Sequence, residues 1–417
     1  MPAPTDTLAS SHEKWLVLSA AFLGWMFDGL EMGIFPLAAR PALQDLLHTS
    51  DDKLIGQWMG AVTALFLIGA ACGGFVFGWL GDRFGRVRTM IWSVLTYSIF
   101  TGLCYFASAP WQLGVLRFVA ALGMGGEWAL GVALVMEFWP EQKRPLLAGA
   151  IGAASNVGFG LIAVLGLFFK ITTHSWRWIM LAGAAPALLS LFINFFVPES
   201  KRWQAAVEKE KSHPYREVFS PRLLKTTLLA ISFASVALIG TWGSVQWIPT
   251  WVNKMTAGTT IPHPAATTQV VEAIGAIVGC FMGSLLCVRF GRRWTYFGLC
   301  ASSWLICTIL FTRFSSYDTG WFLLVAALAS AATAAFYGWL PLYLPELFPT
   351  RIRATGQGIC FNFGRILAAA GAIYQGNLVK AYEGSYAKAG ATIVLVYFAG
   401  MVLIWFAPET KGKPLPE

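Results

Sequence analysis

Twelve long apolar runs separated by short polar segments leave this chain few ways to fold. They cover about residues 15–38, 57–80, 87–106, 111–139, 146–169, 176–196, 225–247, 268–288, 294–311, 321–344, 356–378 and 390–406. A helix of about 20 apolar residues crosses the hydrocarbon core of a bilayer. Only 12% of residues are charged and 56% are hydrophobic, against about 25% charged in a soluble domain, so a soluble fold would lack the polar surface to cover its core. The pattern predicts an all-α membrane protein of twelve transmembrane helices. The segment from Met1 to Lys14 is polar, and the run after it lacks a small-residue cleavage site, so it reads as a first spanning helix and not as a removed signal peptide.

Charge then sets an expected orientation. If both termini face the cytoplasm, 20 of the 30 Lys and Arg residues fall on that side, 7 fall on the other, and Arg117, Arg177 and Arg365 lie within or at the edge of runs. Basic residues gather on the cytoplasmic side of membrane proteins, which accounts for the net charge of +9 without nucleic acid. The longest polar segment, residues 197–224, separates an expected N-terminal six-helix bundle (1–196) from a C-terminal one (225–417). The two halves also repeat. Glu137, Pro140, Arg144 and Gly149 recur at an offset of 209 as Glu346, Pro349, Arg353 and Gly358. Arg-Phe-Gly-Arg at 83–86 recurs at 289–292, and Pro-Glu-Ser-Lys at 198–201 recurs as Pro-Glu-Thr-Lys at 408–411. Parallel repeats of this kind place a ligand site between the halves, near mid-membrane.

These landmarks resemble the major facilitator superfamily. The stretch from Gly78 to Arg88, which reads Gly-Trp-Leu-Gly-Asp-Arg-Phe-Gly-Arg-Val-Arg, is similar to that family's loop between its second and third helices; the copy at 287–293 lacks the Asp. Asp28-Gly-Leu-Glu31 and the run from Arg117 to Trp128 resemble the aromatic-acid and sialate/carboxylate proton symporters. Pro345 to Gly356 resembles a stretch that these share with animal organic-ion transporters, in whose anion-selective members an Arg stands where Arg365 stands here. The Gln-rich seventh helix of sugar porters is absent; the chain reads Thr241-Trp-Gly-Ser-Val-Gln246 there. The resemblance implies a major facilitator fold in a plasma or bacterial inner membrane. It also implies a secondary transporter, and not an enzyme, that carries a small organic anion together with a proton by alternating access. The expected partners are the anion, the proton and the lipid bilayer, for a monomer that uses the proton gradient and no cofactor. A sugar or polyol porter, or a transporter-like receptor that senses a ligand without moving it, are the rival readings.

Ionisable side chains inside the runs sharpen this, since each costs about 2.5–3.5 kcal/mol or more at mid-membrane unless it is paired or solvated. Asp28 and Glu31 share one helix face, where two carboxylates repel and burial disfavours both charges, an arrangement suited to loading a proton. Arg117 is expected to pair with Asp28, as in related symporters, the alternative being a side chain that reaches out to the surface. Those three are the candidates for proton coupling. Arg365, whose guanidinium stays charged and offers two parallel donors to a carboxylate, is the candidate anion-binding group. Asn362, Trp25, Glu127, Tyr337, Trp339 and Tyr374 are expected around it, and Glu127 could equally pair within the N-terminal bundle. Asp82, Arg86, Glu137, Arg144, Arg292, Glu346 and Arg353 sit at cytoplasmic run ends, where family members latch that side shut.

Other chemistry finds no support in the sequence. The seven cysteines lie in apolar stretches without a Cys-x-x-Cys pair, and none of the five histidines has metal-ligand spacing. Gly-Met-Gly-Gly at 123–126 lies inside an apolar run and reads as close helix packing, not as a nucleotide loop.

Overall fold

Apolar side chains cover the outside of the protein and charges lie within it, the reverse of a soluble fold. Phe168, Phe195 and Leu188 are among many large apolar side chains left exposed, while Asp28, Glu31, Arg117 and Glu127 are buried. Lipid is the solvent in which that arrangement is favourable. A computed structural model describes residues 10–416, apart from residues 170, 210–212, 257 and 319. Two lysines counted for orientation, Lys170 and Lys211, therefore lie outside the described residues.

The helices are α1 (Ser11–Leu47), α2 (Asp52–Phe84), α3 (Arg86–Leu103), α4 (Pro110–Phe138), α5 (Arg144–Phe168), α6 (Trp176–Ala182), α7 (Ala187–Phe196), α8 (Lys201–Lys209), α9 (Pro214–Val218), α10 (Leu224–Gly243), α11 (Ile248–Met255), α12 (Pro264–Arg313), α13 (Trp321–Tyr343), α14 (Arg353–Ala381), α15 (Tyr386–Ile393) and α16 (Val396–Leu403). Among the described residues there is no strand.

Among the described residues, ten stretches are long and apolar enough to cross a membrane. One of them, α12, has 50 residues and would be ~75 Å long if straight, far more than the ~30 Å hydrocarbon core. It bends at Gly291, whose φ of 79° is not helical, and so supplies the eighth and ninth runs. The less apolar α14, with 29 residues, supplies the eleventh, which makes twelve.

Three runs are not single regular helices. The sixth splits into α6 and α7 because Pro186 has no N–H, and the chain there takes i→i+3 bonds such as Ala184 N to Leu181 O and Leu189 N to Pro186 O. The twelfth divides likewise at Val394–Leu395. The seventh ends at Gly243 and resumes as α11. The first helix runs nine residues beyond its apolar stretch. Its far end is tied down by Asp45, which accepts from Arg177 Nη2 at 2.9 Å and from Trp176 Nε1 at 3.1 Å.

The sequence repeat recurs as repeated packing. Gly69 and Gly73 of α2 press on the carbonyls of Phe118 and Leu122 in α4. Gly275 and Gly279 of α12, 206 residues on, press on those of Ala327 and Ala331 in α13. A side chain at any of these glycines would collide with backbone, so small residues four apart set the helix spacing.

Gly85 and Gly291 both have positive φ, 109° and 79°. Each turn is closed by a glutamate from the Pro-Glu element. Glu199 accepts from the N–H groups of Arg86 (3.1 Å) and Val87 (3.0 Å), and Glu409 from those of Arg292 (3.0 Å) and Arg293 (3.1 Å). Burial pushes the Glu199 carboxyl above its ordinary range despite these bonds. At the more open Glu409, burial pushes the same way but is outweighed by the N–H groups of Arg292, Arg293 and Lys411, which hold the carboxyl below its ordinary value.

Candidate ligand cavity and closed end

Lys14, Pro416 and the repeated charged motifs lie at one end of the helices: Lys14 O accepts from Trp139 Nε1, and Pro416 O accepts from Arg353 Nη2. This end is shut by contacts between the two halves. Arg86 donates to Asp82 (2.6 Å) and Glu137 (3.3 Å), both its own half's carboxylates, and to Thr350 O (2.8 Å) of the other half. Arg353 reaches back across to Glu137 at 3.1 Å. Asp82 also accepts from the backbone N–H groups of Ala354 (3.3 Å) and Thr355 (2.7 Å), at the start of α14. A carboxylate on a helix N-terminus meets both free donors and the positive end of the helix dipole.

The pseudo-symmetric half repeats only part of this. Glu346 holds Arg292 through two bonds, 2.5 and 3.0 Å. Arg144, the counterpart of Arg353, is buried near Glu346 but forms no ion pair with it, and its Nε has no partner. Val288 stands where Asp82 stands in the first half, and Pro145, which has no N–H, stands where Ala354 does. The acceptor and one of its two donors are missing together; Leu146, the counterpart of Thr355, keeps its N–H. The linker adds a strap, with Glu217 of α9 accepting from Arg351 at 2.9 Å and Trp203 of α8 donating to Asp82 O at 3.0 Å.

Above this closed end lie the buried charges, and one expected pairing changes. Arg117 is buried and pairs with Glu31, not with Asp28. Its guanidinium lies over Phe66 (4.5 Å) and Phe35 (5.1 Å), and Thr101 of α3 donates to Glu31 at 2.8 Å. It does not reach the surface. Asp28 is fully buried and neither of its oxygens has a hydrogen-bond partner. It stands within electrostatic reach of Glu127, Arg365 and Glu31. Glu127 is equally buried, packs against Gly24 of α1, and has both oxygens unpartnered. Three helices of the first half thus enclose two separate arrangements: a Glu31–Arg117 ion pair, which leaves Glu31 Oε2 and Arg117 Nε without partners, and the two carboxyls of Asp28 and Glu127, whose four oxygens have none.

Arg365 of α14 closes this arrangement from the second half. It donates to Asn362 Oδ1 at 3.2 Å and lies 5.1 Å from the Phe361 ring and 5.8 Å from that of Trp25. Trp128 stacks on Phe361 at 4.3 Å. Asn362 in turn donates to Gly358 O (2.8 Å) and, across the cleft, to Gly125 O (3.3 Å). Arg365 lines a narrow pocket together with Met32, Phe66, Met124 and Trp242. An aromatic and aliphatic wall with one cation fits a small, largely apolar anion.

Two expected contacts fail. Trp339 is fully buried in the second half's core, between Tyr296 (4.6 Å) and Tyr343 (4.5 Å), and donates to Arg292 O; it supports the closed end and not the cavity. Tyr374 is 56% exposed and lines neither cavity described here. Tyr337 backs the Arg365 pocket through Phe361.

Sequence reasoning passed over two groups. Tyr97 of α3 is buried with an unpartnered hydroxyl within electrostatic reach of Asp28, Glu127 and Glu31. Glu272 of α12 is buried with Oε1 unpartnered. A carboxylate inside an apolar run was the available signal for Glu272; Tyr97 carries none.

Comparison with known proteins places the chain. The sequence pattern of the Major Facilitator Superfamily matches residues 17–286, and that of sugar (and other) transporters matches residues 208–417. The chain is 29% identical over 416 residues to a putative metabolite transport protein of Haemophilus influenzae, covering 96% of this chain and 98% of that protein. It is 28% identical over 416 residues to a cis,cis-muconate transport protein of Acinetobacter baylyi, covering 97% of each. Its fold is similar to that of a proton:xylose symporter bound to 6-bromo-6-deoxy-D-glucose, with a TM-score of 0.79, 18% identity and 98% coverage of both chains.

Proposed function

The chain belongs to the Major Facilitator Superfamily, a multi-pass membrane transporter and not an enzyme, and from that premise we propose that it carries a small organic carboxylate together with a proton. The observation that carries the proposal is that Asp28 and Arg365, buried in opposite halves, stand within electrostatic reach of one another without a hydrogen bond between them. A substrate carboxylate on Arg365 would compete with ionised Asp28 for one cation. A proton on Asp28 removes that competitor, so proton and anion bind more tightly together than either alone, which is the linkage a symporter needs. Glu127 and Tyr97 sit where they can share that proton, and the Glu31–Arg117 pair holds α1 against α4 as charge is redistributed. The similarity to a protein named for transport of an organic acid anion supports the substrate class.

The test is binding and uptake by the purified protein. Benzoate should raise its melting temperature more at pH 5.5 than at pH 7.5, benzamide should not, and an inward proton gradient should drive benzoate into proteoliposomes. Equal stabilisation by amide and acid, or accumulation indifferent to the gradient, would refute the reading.

The closed end is the second working part. With both termini cytoplasmic, the Arg86–Glu137–Arg353 cluster is the latch of the inner gate, since its cross-half bonds exist only while that end is shut. Removing one member of a buried ion pair costs about 3–5 kcal/mol. Glu137→Gln should therefore favour the inward-open state. Maleimide labelling of Thr355→Cys, buried in the closed end, should accelerate by tenfold or more in a cysteine-free background; an unchanged rate would reduce the cluster to an anchor of topology.

A further inference from the structure

We propose that a second pocket, built around Glu272, binds an ammonium or other positively charged donor group of the transported molecule. Glu272 is more than nine-tenths buried, its Oε1 has no partner, and it lines a pocket with about 540 Å³ of empty space together with Asn156, Thr241, Gln246, Gln269 and Thr333. No Lys, Arg or His lines it among the described residues.

Three of the polar groups around the carboxyl are turned to accept. Thr241 spends its hydroxyl proton on Ala237 O at 2.9 Å and Thr333 on Ala329 O at 2.9 Å, which leaves both oxygens with lone pairs to offer. Asn156 likewise directs its amide N–H at Gly152 O (3.4 Å), leaving its carbonyl free to accept. A buried carboxylate beside three such acceptors repels an anion and satisfies a cation with several N–H donors, and Gln246 and Gln269 can turn their amide oxygens to it as well. The pocket also adjoins the anion site. Thr241 lines this one and Trp242 that of Arg365, while Tyr337 lines this one and stands within electrostatic reach of Arg365. A molecule seated in both would carry a carboxylate and a cationic group on one short frame. That zwitterionic assignment rests on Arg365 holding a carboxylate; the cation subsite itself does not.

Three probes test it on the full-length protein by thermal-shift titration at neutral pH: para-methylbenzoate, para-(aminomethyl)benzoate and benzylamine. The aminomethyl acid should bind at least tenfold more tightly than its methyl analogue. That advantage should vanish in Glu272→Gln and in Ala276→Leu, which fills the pocket without altering the carboxyl and so covers the case in which Glu272→Gln fails to fold. Equal affinities for the two acids, an advantage that survives both substitutions, or binding of neither amine would overturn the proposal. Benzylamine separates this reading from the one about Arg365: Glu272-dependent binding of benzylamine, with para-methylbenzoate indifferent to Arg365→Gln, keeps the subsite and removes the carboxylate site.

Discussion

Arg365→Gln should abolish carboxylate uptake and weaken carboxylate binding on the order of 100-fold, because truncating one partner of a buried charged contact costs about 2–5 kcal/mol. Glutamine is shorter and keeps a donor but not the charge or the paired N–H geometry; lysine restores the charge without that geometry, so Arg365→Lys should recover only part of the affinity. The wall of Phe66, Met124 and Trp242 remains in either variant, so uncharged aromatic analogues, weak ligands of the parent, should bind the variant no more weakly. Titration of purified protein with benzoate and benzamide reads both effects. Undiminished benzoate affinity in Arg365→Gln would point instead to a neutral substrate such as a sugar or polyol.

Asp28→Asn should uncouple the transporter. Asparagine is neutral at every pH and nearly isosteric, so it imitates the protonated carboxyl beside Arg365 and can no longer release its proton. Proteoliposomes with an imposed proton gradient should then show accumulation reduced to the equilibrium level, at least tenfold below the parent. Exchange of labelled for unlabelled substrate should continue, since exchange needs no net proton movement. Binding should lose most of its pH dependence in the same variant. Accumulation that survives Asp28→Asn would move the coupling to Glu127, the buried carboxyl within electrostatic reach of Asp28 that has both oxygens unpartnered, and the equivalent Glu127→Gln would then carry the loss.

The helix count, the repeat and the position of Arg365 were legible because each rests on linear spacing. Apolar runs, an offset of 206 to 210 residues and a lone Arg inside a run survive any arrangement of the helices in space. The partner of Arg117 was not legible. Asp28 and Glu31 lie one turn apart on the same face, and which of them meets α4 at Arg117 depends on how far α1 is rotated and displaced, which close packing at Gly24, Gly29 and Gly33 decides. Trp339 could not be assigned for a related reason: on a helix buried nearly all round, the faces toward cavity and core have the same composition. Glu272 was readable by the rule applied to the other charges, but it stands near the Pro- and Thr-rich loop at 253–267 and was absorbed into the expected run end.

The lost acceptor at Val288 and the lost donor at Pro145 have a consequence for how the closed end parts. Had both halves kept their carboxylate and helix start, two charged caps would have to break in concert, and the barrier would contain both. Here one flank is riveted, between α2 and α14, while the flank between α5 and α12 is held by packing alone at its corresponding corner. If this end is the gate proposed above, it should open like a book bound along one edge, parting first at the unbound margin.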